Sequence, residues 1–141
     1  MPSSAAIAAI ARLGIGEEQN SSTRARGMSL ARYRAAAAAV NRRTLSFYVT
    51  LPNYRNYWKE AGYVEEMEAI EKALAEGKRD CLPELMSDAW LSDCTLFGSP
   101  DEVRDGVEAW LEAGVETPIL VPSSAVGNQA TAFEELFAIY A

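Results

Sequence analysis

The sequence contains no histidine. That absence removes Ser-His and Cys-His nucleophile pairs, histidine-ligated metals and the commonest general base. Cysteine is almost as scarce. Cys81 and Cys94 are too few for a zinc site and too far apart for a CxxC redox pair. Two reduced, half-buried thiols in a cytoplasmic protein are the expectation. Only 9 glycines and 6 prolines in 141 residues exclude collagen-like chains, and 49% apolar residues exclude disorder. No apolar run approaches the roughly 20 residues that span a bilayer, so no integral membrane protein is expected. The Ser/Ala-rich opening, residues 1–13, lacks the basic start of a secretory signal. A single domain that buries about 70% of its unfolded surface fits this length.

Charge of one sign is scarce in each part of the chain. Residues 1–59 carry nine basic and two acidic side chains, and residues 60–141 carry four basic and eighteen acidic ones. Arg24, Arg26, Arg32, Arg34, Arg42 and Arg43 could contact nucleic-acid phosphates. No helix-turn-helix, zinc-finger or RNP motif accompanies them, and the acidic half would repel a phosphate backbone. Pairing of basic with acidic elements, within or between chains, is therefore expected.

Periodicity is helical almost throughout. Residues 3–13 read as a short Ala-rich helix ending at Gly14, followed by a polar loop over 16–27. A long helix is expected from Ser29 through the alanine run to Ala39. Phe47, Leu51, Tyr54 and Trp58 then fall on one helical face, with Pro52 either breaking the helix or opening a second one. Val64, Met67, Ile70 and Leu74 mark another helix, stopped at Gly77. Leu82, Leu85, Met86, Ala89 and Trp90 mark the next, with Pro83 in its first turn. After the short apolar piece 95–97, Ser99, Pro100 and Glu102 spell a capping box. Val103, Val107, Trp110 and Leu111 form that helix's stripe, and Gly114 closes it. Residues 117–121 read as a strand buried on both sides, and Phe133, Leu136, Phe137 and Tyr140 as one face of a final helix. The order of elements predicts an α/β fold with parallel strands.

The stretch LFGSPDEVRDGVEAWLEAGVETPILVPSS resembles the C-terminal βαβ unit of the luciferase-like monooxygenase family. Its Gly-Ser-Pro-Asp-Glu-Val helix start and Ala-Gly-Val turn carry the likeness. The upstream segment with Arg42, Arg43 and LSFYVTLPNYR is similar to the long helix before that unit. The resemblance covers residues 30–137. It implies the C-terminal part of a TIM (β/α)8 barrel, over residues 28–141, with residues 1–27 as a poorly defined helix and loop. It also implies monooxygenation or hydride transfer with reduced FMN or coenzyme F420. A complete barrel takes about 250 residues, so a truncated or split member is expected.

Within that frame Gly98, Ser99, Ser123 and Ser124 are the expected cofactor-phosphate residues, because barrel loops after late strands bind phosphate at backbone N–H groups. For Ser99, helix capping competes with this role, since Asp101 and Glu102 already occupy the helix start. Tyr48, Tyr54 and Arg55 are the expected substrate contacts, with core packing and a surface ion pair as their structural alternatives. No residue qualifies as catalytic acid or base, and Glu65/Glu66 and Glu134/Glu135 read as solvated helix faces. Flavin-type chemistry does not need one, since the cofactor carries the reaction. The alternative is a non-catalytic half-barrel module. In either case, uncovered aromatic faces at Phe47–Trp58 and Phe133–Tyr140 predict a homo-oligomer.

Overall fold

Alanine is the strongest helix former, and the Ala-rich stretch Leu30–Tyr48 forms the longest helix, α1, in the computed structural model, which describes residues 10–15 and 30–141. Tyr33, Ala37, Asn41 and Leu45, each four residues apart, make one buried ridge along it. Pro52 does open a second helix, α2 (Pro52–Glu60), from the first helical position. The chain turns at 49–51, so Phe47, Leu51, Tyr54 and Trp58 do not share a face. Phe47 is 66% exposed, whereas Trp58 is buried.

Next come α3 (Val64–Ala75), a 3-10 helix (Arg79–Leu85) and α4 (Asp88–Cys94). The single helix expected around Pro83 is therefore two pieces. Ser87 separates them: its hydroxyl accepts from the Trp90 amide and donates to Glu66. Trp58, Met67, Ile70, Leu82, Met86, Trp90 and Leu91 form the main core with Leu45 of α1 and Val49 just after it. Within it Trp58 and Trp90 meet edge to face at 4.9 Å.

The described residues include three parallel strands, which make this an α/β fold: β1 (Ile10–Ile15), β2 (Leu96–Phe97) and β3 (Ile119–Ser124), in the order β2-β1-β3. The expected helix over 3–13 is corrected at 10–13, which belong to β1; residues 3–9 lie outside the described residues. In chain order around a barrel wall, β2 and β3 would be neighbours. Here the first strand stands between them, with Leu13 beside both Leu96 and Pro122.

Helix α5 (Pro100–Glu112) joins β2 to β3, and α6 (Gln129–Tyr140) follows β3. Strand residues alternate between faces. Leu96 and Leu120 pack with Val103 of α5 and Ile139 of α6, while Phe97 packs into the larger core with α1–α4. The sheet is thus sandwiched, with α1–α4 on one face and α5 and α6 on the other. Strand β3 is not buried on both sides as its apolar run suggested. Among the described residues it is an edge strand, and Ile119 is 57% exposed.

The basic first half does pair with the acidic second half inside the chain. Arg34 meets Glu102 at 2.6 Å, Arg42 meets Asp88, and Lys59 meets Glu71 at 2.7 Å. Arg24 and Arg26 lie outside the described residues. Arg55, expected on the surface, is buried; its Nη1 donates to the Val49 carbonyl at 2.7 Å and its Nε to Glu71 at 3.3 Å. It ties the end of α1 to α3 through α2. Both cysteines are free and half-buried, and burial pushes the Cys94 thiol up to about 12.

Removing the guanidinium leaves a buried carbonyl unpaired, so Arg55→Ala should lower stability by about 2–4 kcal/mol in urea unfolding. The hydrogen bond from Lys59, supported by Arg55, holds the Glu71 carboxyl below its ordinary range. A depressed carboxylate contributes stability above its unfolded pKa and loses it as pH falls through the folded value. Glu71→Gln should therefore flatten part of the acid limb of stability against pH. An unchanged acid limb would contradict that linkage.

Candidate functional site

Parallel strands bring their carboxyl ends to one edge of the sheet, and polar residues gather there. Gly98 and Ser99 leave β2, Ser123 and Ser124 end β3, and β1 lies between. With strands about 4.8 Å apart, the two pairs sit roughly 10 Å from one another. From the same edge the chain departs to opposite faces, since α1 follows β1 and α6 follows β3. Open α/β sheets bind ligands in the crevice beside such a switch of direction.

Ser123 and Ser124 face opposite layers, as neighbouring strand residues must. Ser123 donates to Oδ1 of the fully buried Asn41 on α1 at 3.3 Å, and Ser124 donates to Glu135 on α6 at 3.2 Å. The Ser124 hydroxyl also accepts from the amides of Val126 and Gly127, at 3.2 and 3.0 Å. Tyr33 is buried on the first turn of α1, eight residues before Asn41. Burial and the Glu135 carboxylate push its hydroxyl well above the ordinary tyrosine range. Glu135 is therefore not on the solvated face its neighbour Glu134 occupies.

The sequence marks Asn41 as well. It is the one amide on an otherwise apolar i, i+4 ridge of Tyr33, Ala37 and Leu45, and a buried amide needs a partner.

At the end of β2, Ser99 accepts from the Glu102 amide at 3.3 Å, and Glu102 accepts from the Ser99 amide at 2.7 Å. The other carboxylate oxygen takes Arg34 at 2.6 Å, and the Arg34 guanidinium lies 4.9 Å from the centre of the Phe97 ring. Gly98 adopts φ +141°, and a Cβ there would strike the Glu102 carboxylate. A side chain of this protein thus fills the place an anion would take at the start of α5. At α6 the first amides are likewise taken, because Asn128 Oδ1 accepts from Ala130 at 3.0 Å and Thr131 at 3.2 Å.

Tyr48, Tyr54 and Arg55 lie elsewhere. Tyr48 is seven residues beyond Asn41, about 10 Å along α1. Its ring meets Tyr54 edge to face at 5.2 Å, and both pack against the helical core. The structure does not bring these three together with Ser123 and Ser124.

One curated relative is a Mycobacterium tuberculosis protein named as a coenzyme F420-dependent oxidoreductase, 25% identical over 72 residues. Those residues are 51% of this chain and 21% of the relative, so the similarity spans about a fifth of that protein's length. No family model matches the chain, and no solved structure matches it.

Loss of the Ser99 hydroxyl removes a helix cap, so Ser99→Ala should lower the unfolding free energy by about 1 kcal/mol. Gly98→Ala should cost more than Ser99→Ala, since it adds left-handed backbone strain and displaces Glu102 from the cap. Equal stability of Gly98→Ala and the wild type, by thermal unfolding, would contradict the packing described for Glu102.

Proposed function

We propose that this chain is a luciferase-like domain of the F420-dependent oxidoreductase kind, and that an anionic cofactor binds at the carboxyl edge of its sheet. The observation that carries the reading is the similarity to the mycobacterial oxidoreductase, set beside the meeting of Ser123 with Asn41 and of Ser124 with Glu135 at that edge. In this reading β2–α5–β3–α6 corresponds to the last two strand–helix units of a (β/α)8 barrel, with β1 set between the two strands. When bound, the deazaflavin would supply hydride transfer; the protein's part is orientation and exclusion of water.

The residues fit such a group unequally. Gly98 and Ser99 do not fit a phosphate while Glu102 holds the cap, because two anions would share one helix start. Ser123 and Ser124 fit better. Their hydroxyls stand at a strand end, where Ser124 also holds the Val126 and Gly127 amides, and among the described residues Glu135 is the carboxylate bonded to Ser124. Glu135 would have to swing away or be protonated for an anion to enter. Tyr48, Tyr54 and Arg55 lie at the far end of α1 and on α2 and take no part in this reading.

A second reading rests on the same carboxylates. With Glu102 and Glu135 on the anion positions, the chain is a non-catalytic module whose sheet edge is self-satisfied.

Equilibrium dialysis against coenzyme F420, with FMN in parallel, separates the two. The first reading predicts saturable F420 binding that strengthens about tenfold in Glu135→Gln, where one negative charge is removed beside the site. Absence of F420 binding to both the wild type and Glu135→Gln supports the non-catalytic module instead.

A further inference from the structure

Five aromatic rings touch in series through the layer of α1–α4. Trp90 of α4 meets Trp58 of α2 edge to face at 4.9 Å. Trp58 meets Tyr54 at 5.7 Å, Tyr54 meets Tyr48 at 5.2 Å, and Tyr48 meets Phe47 at 5.8 Å. Exposure rises along the series, from 0% at Trp90 and 7% at Trp58, through the half-buried Tyr54 and Tyr48, to 66% at Phe47. Rings at these spacings are ordinary packing partners. The fate of the indole and phenol protons sets this series apart.

The Trp90 indole N–H is buried and has no hydrogen-bond partner among the described residues. Buried donors are nearly always paired, so this one is an exception. The Trp58 indole bonds the Cys94 thiol, and burial pushes that thiol up to about 12. The sulfur thus keeps its own proton and is no base for a second. Neither indole has a group to take its proton. An indole that loses an electron and keeps its proton is a radical cation, a stronger oxidant than the neutral radical. A phenol is harder to oxidise than an indole while it keeps its proton, and easier once the proton can leave. Tyr54 and Tyr48 hold part of their surface in water, which can take it.

We propose that Trp90, Trp58, Tyr54 and Tyr48 form a path that carries an oxidising equivalent out of the helical core to the surface. The initiating oxidant is of the oxygen-radical class and takes one electron from the indole pair. Trp58 refills Trp90, and Tyr54 refills Trp58. The Tyr54 phenol gives up its electron and its proton together; the proton goes to water and a neutral tyrosyl radical remains. Tyr48 then passes one electron to Tyr54, which regains a proton from water as Tyr48 loses its own. A thiol in solution returns a hydrogen atom to Tyr48 and leaves as the thiyl radical, so every side chain of the path ends as it began. Tyr63 also has a proton acceptor, the Asp93 carboxylate, but among the described residues its ring joins none of these contacts.

Laser photoionisation of the full chain tests this, with light that only indoles absorb. Nitrous oxide removes the ejected electron, and tert-butanol removes the hydroxyl radical that forms from it. Of the three tryptophans, Trp110 packs into the other cluster, so Trp110→Phe leaves the hole on Trp58 or Trp90. In that background the indole signal should be the radical cation. It should decay as tyrosyl absorption grows, at one rate that does not change with protein concentration. Tyr54→Phe keeps the ring and its packing but removes the phenol, and should abolish the growth and leave the indole radical long-lived. Tyr48→Phe should keep the growth, since the hole then rests on Tyr54, but slow its quenching by added glutathione. Tyr57→Phe and Tyr63→Phe should change neither. No tyrosyl growth with Tyr54 present, growth that survives Tyr54→Phe, a thiyl radical at Cys94 in its place, or unchanged quenching in Tyr48→Phe would each overturn the proposal.

Discussion

The parallel pairing of β1 with both β2 and β3 is the constraint on which the rest depends. A parallel strand cannot be closed by a tight turn, so each neighbour must be reached by a crossover carrying its own helices. The crossover from β1 to β2 carries α1 to α4, and that from β2 to β3 carries α5. Since the second reverses the direction of the first, right-handed connections deliver the two groups to opposite faces. Two separate apolar clusters follow, one on each side of a sheet that is three strands wide among the described residues. The same reversal opens the crevice at the carboxyl edge, where Ser123 and Ser124 reach Asn41 and Glu135 in opposite layers. Fold and candidate site thus share one cause.

Charge finishes what the sheet begins. The layer α1–α4 is stitched internally, and joined to α5, by basic groups from the first part of the chain and carboxylates from the second. Arg34 and Arg42 of α1 reach Glu102 and Asp88, and Arg55 with Lys59 reaches Glu71. Most of these pairs are partly exposed and contribute modestly. Arg55 is the exception, because its guanidinium is buried and also satisfies a carbonyl at the end of α1. Part of the uneven charge of the sequence, which could have marked a phosphate-binding surface, goes into internal ion pairs.

What could be read in the sequence was local. The capping box at Ser99, Pro100 and Glu102 depends on residues three apart, and it stands as expected. Pro52 at a helix start is equally local. The failures are non-local. Residues 10–13, with alanine beside isoleucine, favour a helix by propensity, yet pairing with β3 on the far side of the sequence makes them a strand. The aromatics from Phe47 to Trp58 matched one helical period only until the turn at 49–51 broke it. At the candidate site Ser123 and Ser124 were visible as polar residues at a strand end. Asn41 is 82 positions from Ser123, and no spacing rule links them. Glu135 was hidden by its neighbour Glu134, since two adjacent carboxylates on a helix read as surface until the strand beneath one of them is known.

Amide hydrogen exchange over residues 10–15 and 119–124 addresses the central pairing most directly. If β1 stands between its two partners, its amides open only when the sheet does. The account predicts that both segments are protected and exchange in one cooperative step, with the same dependence on denaturant. Free exchange of residues 10–15 beside a protected 119–124 would contradict it, and would remove the shared origin of the two layers and the crevice.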